Sequence, residues 1–342
     1  MYTVNTKINN QLSIWLIMMF LIISIMIVVG GLTRLTDSGL SITKWELFSG
    51  FIPPLNKNDW ILYFNLYKEI PEFKLQNYNM TIQEFKVIFW WEWAHRFLGR
   101  LIGIGFLIPL IYFSFKIKIL KLINLYVIFL LICFQGFIGW YMVKSGLIDV
   151  PHVSQYRLTA HLGVAVAIYT LMMWLLFRVS AGLSPSLRHI SPMGGLLLLG
   201  VYVLILSGGF MAGTDAGFAY PTWPLMGESF VPMGYYAEGW LATFEGVATI
   251  HFNHRMLAYA IAALVLFFSV RSLRDGTDSK VRRAAILMLL ALTFQVMLGI
   301  GTVLSQVAIP MAATHQVGAV VLLTTVLFWS HAHTDQKLVM SA

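Results

Sequence analysis

The stretch WWEWAHRFLGRLIG, residues 90–103, places charged and ionisable groups at the start of an apolar run. These groups are Glu92, His95, Arg96 and Arg100, and such groups are costly inside a bilayer. Glu92 and His95 are three residues apart, so their side chains share a face of a helix. The spacing predicts a carboxyl group that serves the same pocket as an imidazole ligand. The alternative is a structural ion pair between Glu92 and Arg96.

An internal repeat gives this stretch a counterpart in the second half of the chain. In the same order in both halves, GGLTRLTDSGL at 30 resembles GGFMAGTDAGF at 208, EWAHRFLG at 92 resembles HFNHRMLA at 251, FQGFIGWYMV at 134 resembles FQVMLGIGTV at 294, and TAHLGVAV at 159 resembles ATHQVGAV at 313. The repeat pairs His95 with His254 and His161 with His315. Glu92 is paired with His251, so the carboxyl group has no copy.

The four paired histidines have the number and chemistry that an iron porphyrin needs. Two imidazoles that face each other across a four-helix bundle suit the axial positions of haem, whereas a zinc site needs three or four close ligands. All four are therefore predicted to bind haem iron. Arg96 and Arg255 each follow one of them and are candidates for contacts with haem propionates; the alternative is that both reach toward lipid headgroups.

The other histidines and the cysteine receive structural interpretations. His152 and His189 are expected in loops, His331 and His333 at the inner end of the last helix, and His251 beside the second haem without ligating it. Cys133 is the only cysteine, which excludes an intramolecular disulfide and a thiolate-held metal cluster.

The elements that must position these residues are membrane helices. Of the 342 residues, 58% are hydrophobic and 11% are charged, and the mean hydropathy of +0.76 excludes an ordinary water-soluble domain. Eight apolar runs are long enough to cross about 30 Å of hydrocarbon. They lie near residues 13–33, 94–114, 120–140, 158–178, 194–213, 247–270, 284–304 and 311–331. The sequence predicts an all-α integral membrane protein with eight transmembrane helices, arranged as two tandem four-helix bundles related by a pseudo-twofold axis along the membrane normal.

The charges of the loops predict domain boundaries and orientation. The N-terminal bundle is expected to cover residues 1–185, with a long loop at 34–89, and the C-terminal bundle residues 186–342. Basic residues concentrate in short loops near the spans, whereas residues 214–245 hold four acidic residues and no Lys or Arg. Both termini are therefore predicted to be cytoplasmic and the paired histidines to lie toward the extracytoplasmic side of the cell (inner) membrane. The net charge of +8 reports this orientation, not nucleic-acid binding.

The motifs GGLTRLTDSGLSI, EWAHR, TAHLG, HFNHR and ATHQVGA, in this order and duplication, resemble the haem A synthase family over nearly the whole chain. The resemblance implies oxidation of the C8 methyl group of haem O to formyl, giving haem A for terminal oxidases. It implies that Glu92 is catalytic, that His95 and His161 bind the substrate haem, and that His254 and His315 bind a haem b cofactor. The first outer loop has no cysteine pair, as in the branch of alphaproteobacteria and mitochondria.

The same resemblance implies partners and leaves the mechanism open. Haem O would come from a haem O synthase, the electron donor is not identified, and a homo-oligomer stays open. Two successive hydroxylations would give a geminal diol that loses water. Because two histidines fill both axial positions, either His95 or His161 must dissociate, or the oxidising equivalent must arise elsewhere.

Two other functions compete with a biosynthetic enzyme. The first is a di-haem b electron carrier linked to quinol, whose function would not require a carboxylate that is present in one bundle and absent from the other. A transporter with parallel repeats predicts substrate groups near the middle of the membrane, whereas the polar residues here cluster near one face.

Overall fold

A computed structural model describes residues 6–47, 49–147, 153–182, 185, 190–275 and 278–340, with side chains as far as residue 334 and without that of Ser145. The α-helices are α1 (Thr6–Leu35), α2 (Lys57–Lys68), α3 (Pro71–Leu75), α4 (Ile82–Ser114), α5 (Ile119–Gly146), α6 (Gln155–Ser180), α7 (Pro192–Gly213), α8 (Ala242–Glu245), α9 (Val247–Arg274), α10 (Ser279–Leu304) and α11 (Ile309–Met340). Eight of these helices are long and apolar enough to span a membrane. Over the described ranges no strand forms. The predicted all-α, eight-span class is therefore confirmed.

Helix α4 begins well before the apolar run that predicted it. The run starts near residue 94, and the predicted loop continues to residue 89, but the helix starts at Ile82. The early start has a local cause, because Thr81 and Glu84 form a reciprocal capping box. The backbone N–H of Thr81 donates to Glu84 Oε2 at 2.8 Å. The last part of the predicted loop is thus the first part of α4, and Glu92 lies inside a helix that is already formed.

The described chain divides into two compact units. One is Ile14–Ala165, and the other combines the described residues of Met1–Ser13 with those of Val166–Ala342. The first unit contains most of α1, all of α2 to α5 and the start of α6. The second contains the rest of α6 and all of α7 to α11. The arrangement of the helices as two bundles about a pseudo-twofold axis stays a prediction.

In the first unit, the connection between α1 and α4 (residues 36–81, the first connection) packs on the N-terminal part of α4. An apolar cluster joins them, made of Leu40, Ile42, Trp60, Phe64, Tyr67, Ile70, Phe85, Ile88 and Phe89. Aromatic rings contact one another within this cluster. The ring centroids of Trp60 and Phe89 are 5.0 Å apart, and those of Phe64 and Phe85 are 5.1 Å apart. This cluster fixes the first connection against α4 beside Glu92.

In the second unit, polar contacts link the long helices across an apolar interior. The hydroxyl groups of Tyr169 on α6 and Thr324 on α11 are 2.7 Å apart. The indole N–H of Trp329 on α11 donates to Ser272 Oγ on α9 at 3.0 Å. The connection between α7 and α9 (residues 214–246, the second connection) contains α8 and two short 3-10 helices. It lies between the same two repeated sequence segments as the first connection and is its counterpart in the second half of the chain.

Candidate functional site

The first predicted histidine pair comes together in the first unit. His95 on α4 and His161 on α6 have ring centroids 6.3 Å apart, with an angle of 83° between their planes. The amide Nε2 of Gln135 on α5 lies 3.2 Å from His161 Nε2. Three helices thus contribute polar groups to one place, as the sequence predicted for His95 and His161.

The second pair is His254 on α9 and His315 on α11. The Ser207 hydroxyl on α7 lies 2.7 Å from His254 Nδ1, which leaves Nε2 as the nitrogen available to a ligand. A hydrogen bond to the second ring nitrogen is the usual way in which a protein orients a metal-binding imidazole.

Each of the four histidines packs against a glycine at an equivalent position of the repeat. A methyl group added at Gly139 would lie 3.0 Å from His161 Cε1, and one added at Gly299 would lie 3.0 Å from His315 Cε1. Gly30 approaches His95 in the same way, and Gly208 approaches His254. The repeat in the sequence is therefore also a repeat in the immediate surroundings of the imidazoles.

These sites fit a flat ligand with two axial bonds. Each pair offers two imidazoles from different helices, and each imidazole lies close to a glycine of a neighbouring helix. In the part of the chain that the structure describes, no group of three or more His, Cys, Asp or Glu side chains could hold a metal ion. The donor sets therefore suit iron porphyrin better than a compact zinc site.

Glu92 is buried, with 2% of its surface exposed, and four hydrogen bonds hold its carboxylate. Oε2 accepts from the Ser41 hydroxyl at 2.7 Å and from the Ile42 N–H at 2.6 Å. Oε1 accepts from Arg96 Nε at 3.0 Å and from Arg96 Nη2 at 2.5 Å. The ion pair that the sequence left as an alternative is present. The same bonds fix the carboxylate in one orientation.

Arg96 extends this network to the first connection. Its guanidinium group donates to the carbonyl oxygens of Ile42 at 2.7 Å and Lys44 at 2.8 Å. Four of the five N–H donors of a guanidinium group are therefore used by the chain itself. Glu92 and Arg96 together fasten residues 41–44 to α4.

In the second unit, an arginine also joins a helix to a connection, but its partner on the helix is an imidazole. His251 is completely buried, and Arg255 Nε donates to its Nε2 at 3.0 Å. Arg255 also donates to the carbonyl oxygens of Tyr220 at 3.1 Å, Thr222 at 2.8 Å and Leu225 at 3.2 Å. Both arginines thus hold a connection to a helix. The partner four residues earlier is a carboxylate in one unit and an imidazole in the other.

The remaining histidines lie away from these pairs or outside the described residues. The ring centroid of His331 is 5.5 Å from that of Trp174, and the ring centroid of His333 is 4.3 Å from that of Trp329. His152 and His189 lie outside the described residues. His331 and His333 therefore pack on aromatic rings of the second unit, as structural residues do.

Sequence reasoning missed several groups that touch the predicted site residues. Ser41 lies near the start of the first connection and donates a hydrogen bond to Glu92. No periodic pattern in the sequence predicts such a contact. Gly139 could have been found, because it occupies the same place in FQGFIG as Gly299 does in FQVMLG, and the sequence already marked Gly299 as a point of close approach. Ser207 lies directly before the repeated GG pair, but a single serine in an apolar helix does not by itself indicate a functional role.

The chain matches a known protein family over most of its length. Residues 13–327 match the model of a family described as cytochrome oxidase assembly protein, COX15-CtaA. The chain belongs to the COX15-CtaA family. This confirms the resemblance on which the sequence interpretation rested.

Relatives of this COX15-CtaA chain match it along nearly its full length. A protein named heme A synthase from Nitrosospira multiformis is 45% identical over 333 residues, which cover 95% of this chain and 94% of the relative. Proteins of the same name from Nitrosomonas eutropha and Pelagibacter ubique are each 42% identical. They cover 94% and 92% of this chain, respectively, and in each case 94% of the relative is covered.

Proposed function

We propose that this chain is a haem A synthase that oxidises the C8 methyl group of haem O to formyl and so supplies haem A to terminal oxidases. The family and the names of its full-length relatives support this function. The observation that carries the proposal is an asymmetry. Two histidine pairs have matching surroundings, but only the first has a buried carboxylate, Glu92, where the second has His251. An electron carrier with two equivalent haems does not require a carboxylate at only one of them.

His95 and His161 are proposed to hold the iron of the substrate haem. Their ring centroids are 6.3 Å apart, and Gln135 and Gly139 fix His161 from a third helix. Residues on rigid helices would thereby hold the substrate in one orientation beside a fixed set of side chains. Orientation of this kind decides which methyl group is oxidised.

Glu92 is proposed as the catalytic group that accepts or donates protons beside the reacting carbon. Conversion of a methyl to a formyl group removes hydrogen from carbon, so protons must leave or enter the site. A carboxylate held by Ser41, Ile42 and Arg96 keeps its position during that exchange. To take up a proton it must give up part of its pairing with Arg96, which makes Arg96 a positioning residue for the reaction.

His254 and His315 are proposed to bind a resident haem b. Ser207 orients His254 through Nδ1, and Gly299 allows His315 to sit close to α10. Haem b supplies one-electron transfer when it is bound. The residues of the second unit bind and orient it, and the apolar helices around them exclude water.

Arg96 and Arg255 are each proposed to contact a haem propionate with the one guanidinium N–H that does not donate to another group of the protein. Each guanidinium group has five donors. Arg96 directs four of them to Glu92, Ile42 and Lys44. Arg255 directs four to His251 and to carbonyl oxygens of the second connection. The remaining donor of each is suited to a carboxylate acceptor.

The protein is a multi-pass membrane protein, and we propose that both termini are cytoplasmic and the haem sites extracytoplasmic. The basic short loops support this orientation. A topology reporter fused at residue 230 is expected to give an extracytoplasmic signal, and one fused at the C-terminus a cytoplasmic signal. A cytoplasmic signal at residue 230 would contradict the orientation of the haem sites.

A direct test of the function is to identify the haems of the purified protein and its product. Haem extracted from the membrane-expressed protein is expected to contain haem b together with haem O or haem A, as identified by mass. Supply of haem O, proposed to come from a haem O synthase, should increase haem A when an electron acceptor, or dioxygen with a reductant, takes up the electrons that leave the methyl carbon. Haem b alone, with quinol-dependent reduction and no haem A, would favour the di-haem electron carrier.

A further inference from the structure

A second buried carboxyl group lies in the first connection, on the short helix α3. Glu72 has 5% of its surface exposed and Tyr67 on α2 has none. The Tyr67 hydroxyl donates to Glu72 Oε1 at 2.6 Å. The Asn77 amide in turn donates to the Tyr67 oxygen at 2.8 Å. The three side chains form a linear chain of hydrogen bonds at the edge of the apolar cluster that packs on α4.

Glu72 makes no ion pair with any described residue, unlike Glu92. Two lysines of the same connection have other contacts: Lys74 pairs with Glu69 at 3.3 Å, and Lys68 lies 4.3 Å from the centre of the Phe64 ring. On α4, Lys86 lies 5.1 Å from the centre of the Trp60 ring. A carboxyl group that is buried without a cation is more stable in its neutral form.

The groups that face Glu72 come from four elements. Tyr67 from α2 bonds Glu72 directly, and Asn77 after α3 bonds Tyr67. Glu92 on α4 and Asp37 after α1 act on Glu72 through their charge. Burial raises the pKa of Glu72 to about 7; the Tyr67 hydrogen bond opposes this, and the negative charges of Glu92 and Asp37 raise the pKa further. Tyr67, which bonds Glu72, belongs to the same apolar cluster as Ile42, and the Ile42 N–H donates to Glu92 at 2.6 Å. The packing of the first connection therefore links the two carboxyl groups, and the effect of one charge on the other is reciprocal.

The proposed reaction needs a defined charge around Glu92. While Glu72 is neutral, the charge of Glu92 is balanced by Arg96, which pairs with it directly. When Glu72 ionises, a second negative charge appears in the same buried region without a partner of its own. That charge opposes Glu92 and weakens the packing of the first connection on α4.

We propose that Glu72, held by Tyr67, is a positioning residue for Glu92 that must carry a proton for turnover. This inference rests on the proposed function of Glu92 and adds a proton-holding group to it. The proton stays on the Glu72 carboxyl group and is not transferred to the substrate. Turnover is consequently lost as pH rises through the titration of Glu72.

The sign of the pH dependence follows from the protonated form being the active one. With a midpoint near pH 7, the protonated fraction falls about thirtyfold between roughly pH 5.5 and roughly pH 8.5. The rate of haem A formation should fall by a similar factor over this range. Glu72→Gln mimics the protonated form, so its rate should change less than about twofold over the same range.

The matched control is Glu69→Gln, which removes a carboxylate from the same connection. Glu69 has 79% of its side chain exposed, so this variant should keep the pH dependence of the parent protein. All three proteins should be compared at equal haem b content, which reports whether the chain has inserted and folded.

Infrared spectroscopy provides a readout that does not depend on activity. The parent protein and Glu69→Gln should lose the C=O band of a protonated carboxyl group with a midpoint near pH 7, and Glu72→Gln should lack this change. The inference is overturned if the band shows no titration near pH 7, if Glu72→Gln keeps the pH dependence of the parent protein, or if Glu72→Gln is inactive at every pH with haem b intact. If no protein forms haem A, the proposed function fails, and the infrared titration still reports on Glu72.

Discussion

Replacement of Glu92 by glutamine is the most direct probe of the chemistry, because it keeps the size of the side chain and removes its charge. In the structure, one carboxylate oxygen accepts from Ser41 and Ile42, and the other accepts twice from Arg96. The amide has only one oxygen. If that oxygen faces Arg96, the Ser41 hydroxyl can turn to accept from the new NH2 group, but the Ile42 N–H loses its acceptor.

The expected cost to stability is moderate. A buried N–H without an acceptor costs about 1–3 kcal/mol, and breaking a buried ion pair costs about 3–5 kcal/mol. Because the amide keeps two bonds to Arg96, we expect a local cost near 3 kcal/mol, at the lower end of the ion-pair range. The second unit contains none of these contacts. Glu92→Gln should therefore insert and bind haem b normally.

The expected cost to the reaction is much larger. Loss of a positioned general acid or base lowers a rate about a hundredfold to ten-thousandfold. Haem O or its C8 alcohol should therefore accumulate, with little haem A. The measurement is chromatography of extracted haems from membranes normalised to the haem b spectrum.

Ser41→Ala is the matched control for this experiment. It removes one donor to Glu92 but keeps the charge and the pairing with Arg96, so the rate should fall less than about tenfold, as for one lost hydrogen bond of about 1 kcal/mol. If Glu92→Gln formed haem A at nearly the parent rate with haem b present, Glu92 would be only the ion-pair partner of Arg96. The catalytic group would then lie elsewhere.

Two further predictions separate the two haem sites. His254→Ala should abolish the haem b spectrum because it removes an axial ligand, whereas His95→Ala should keep that spectrum and lose haem A formation; the opposite pattern in absorption spectra would reverse the assignment of the units. Gly299→Ala places a methyl group 3.0 Å from His315 Cε1 and should reduce haem b content about tenfold or more, as other changes around metal-binding histidines do. Gly103→Ala is its control, because an added methyl group there meets no atom within 4 Å, and equal haem b loss in both variants would refute the argument.

The sequence predicted the membrane helices well because their cause is local. An apolar run of about 20 residues must form a helix to satisfy its backbone in a bilayer, and all eight predicted runs lie inside observed helices. The start of α4 was missed because residues 82–93 include Gln83, Glu84, Lys86 and Glu92, which lower the average hydropathy. The capping pair Thr81 and Glu84 marks the true start, and it is visible in the sequence.

The site residues that the internal repeat duplicates could be predicted from the sequence, whereas the residues that contact them could not. Duplication selected His95 and His161 from nine histidines, and the structure brings their rings together. The contacts of Ser41 with Glu92 and of Arg96 with Lys44 join residues about 50 positions apart. Such contacts depend on how the first connection folds over α4, and neither hydropathy nor spacing carries that information.

The clamp that each arginine forms with carbonyl oxygens has a consequence for evolution. Arg255 holds the second connection through Tyr220, Thr222 and Leu225 while its helix partner is a neutral imidazole. The clamp therefore does not require an acid four residues before the arginine. After duplication, the position of Glu92 and its copy could diverge without loss of the scaffold, so that one copy could acquire or lose reactivity while the other kept only its fold.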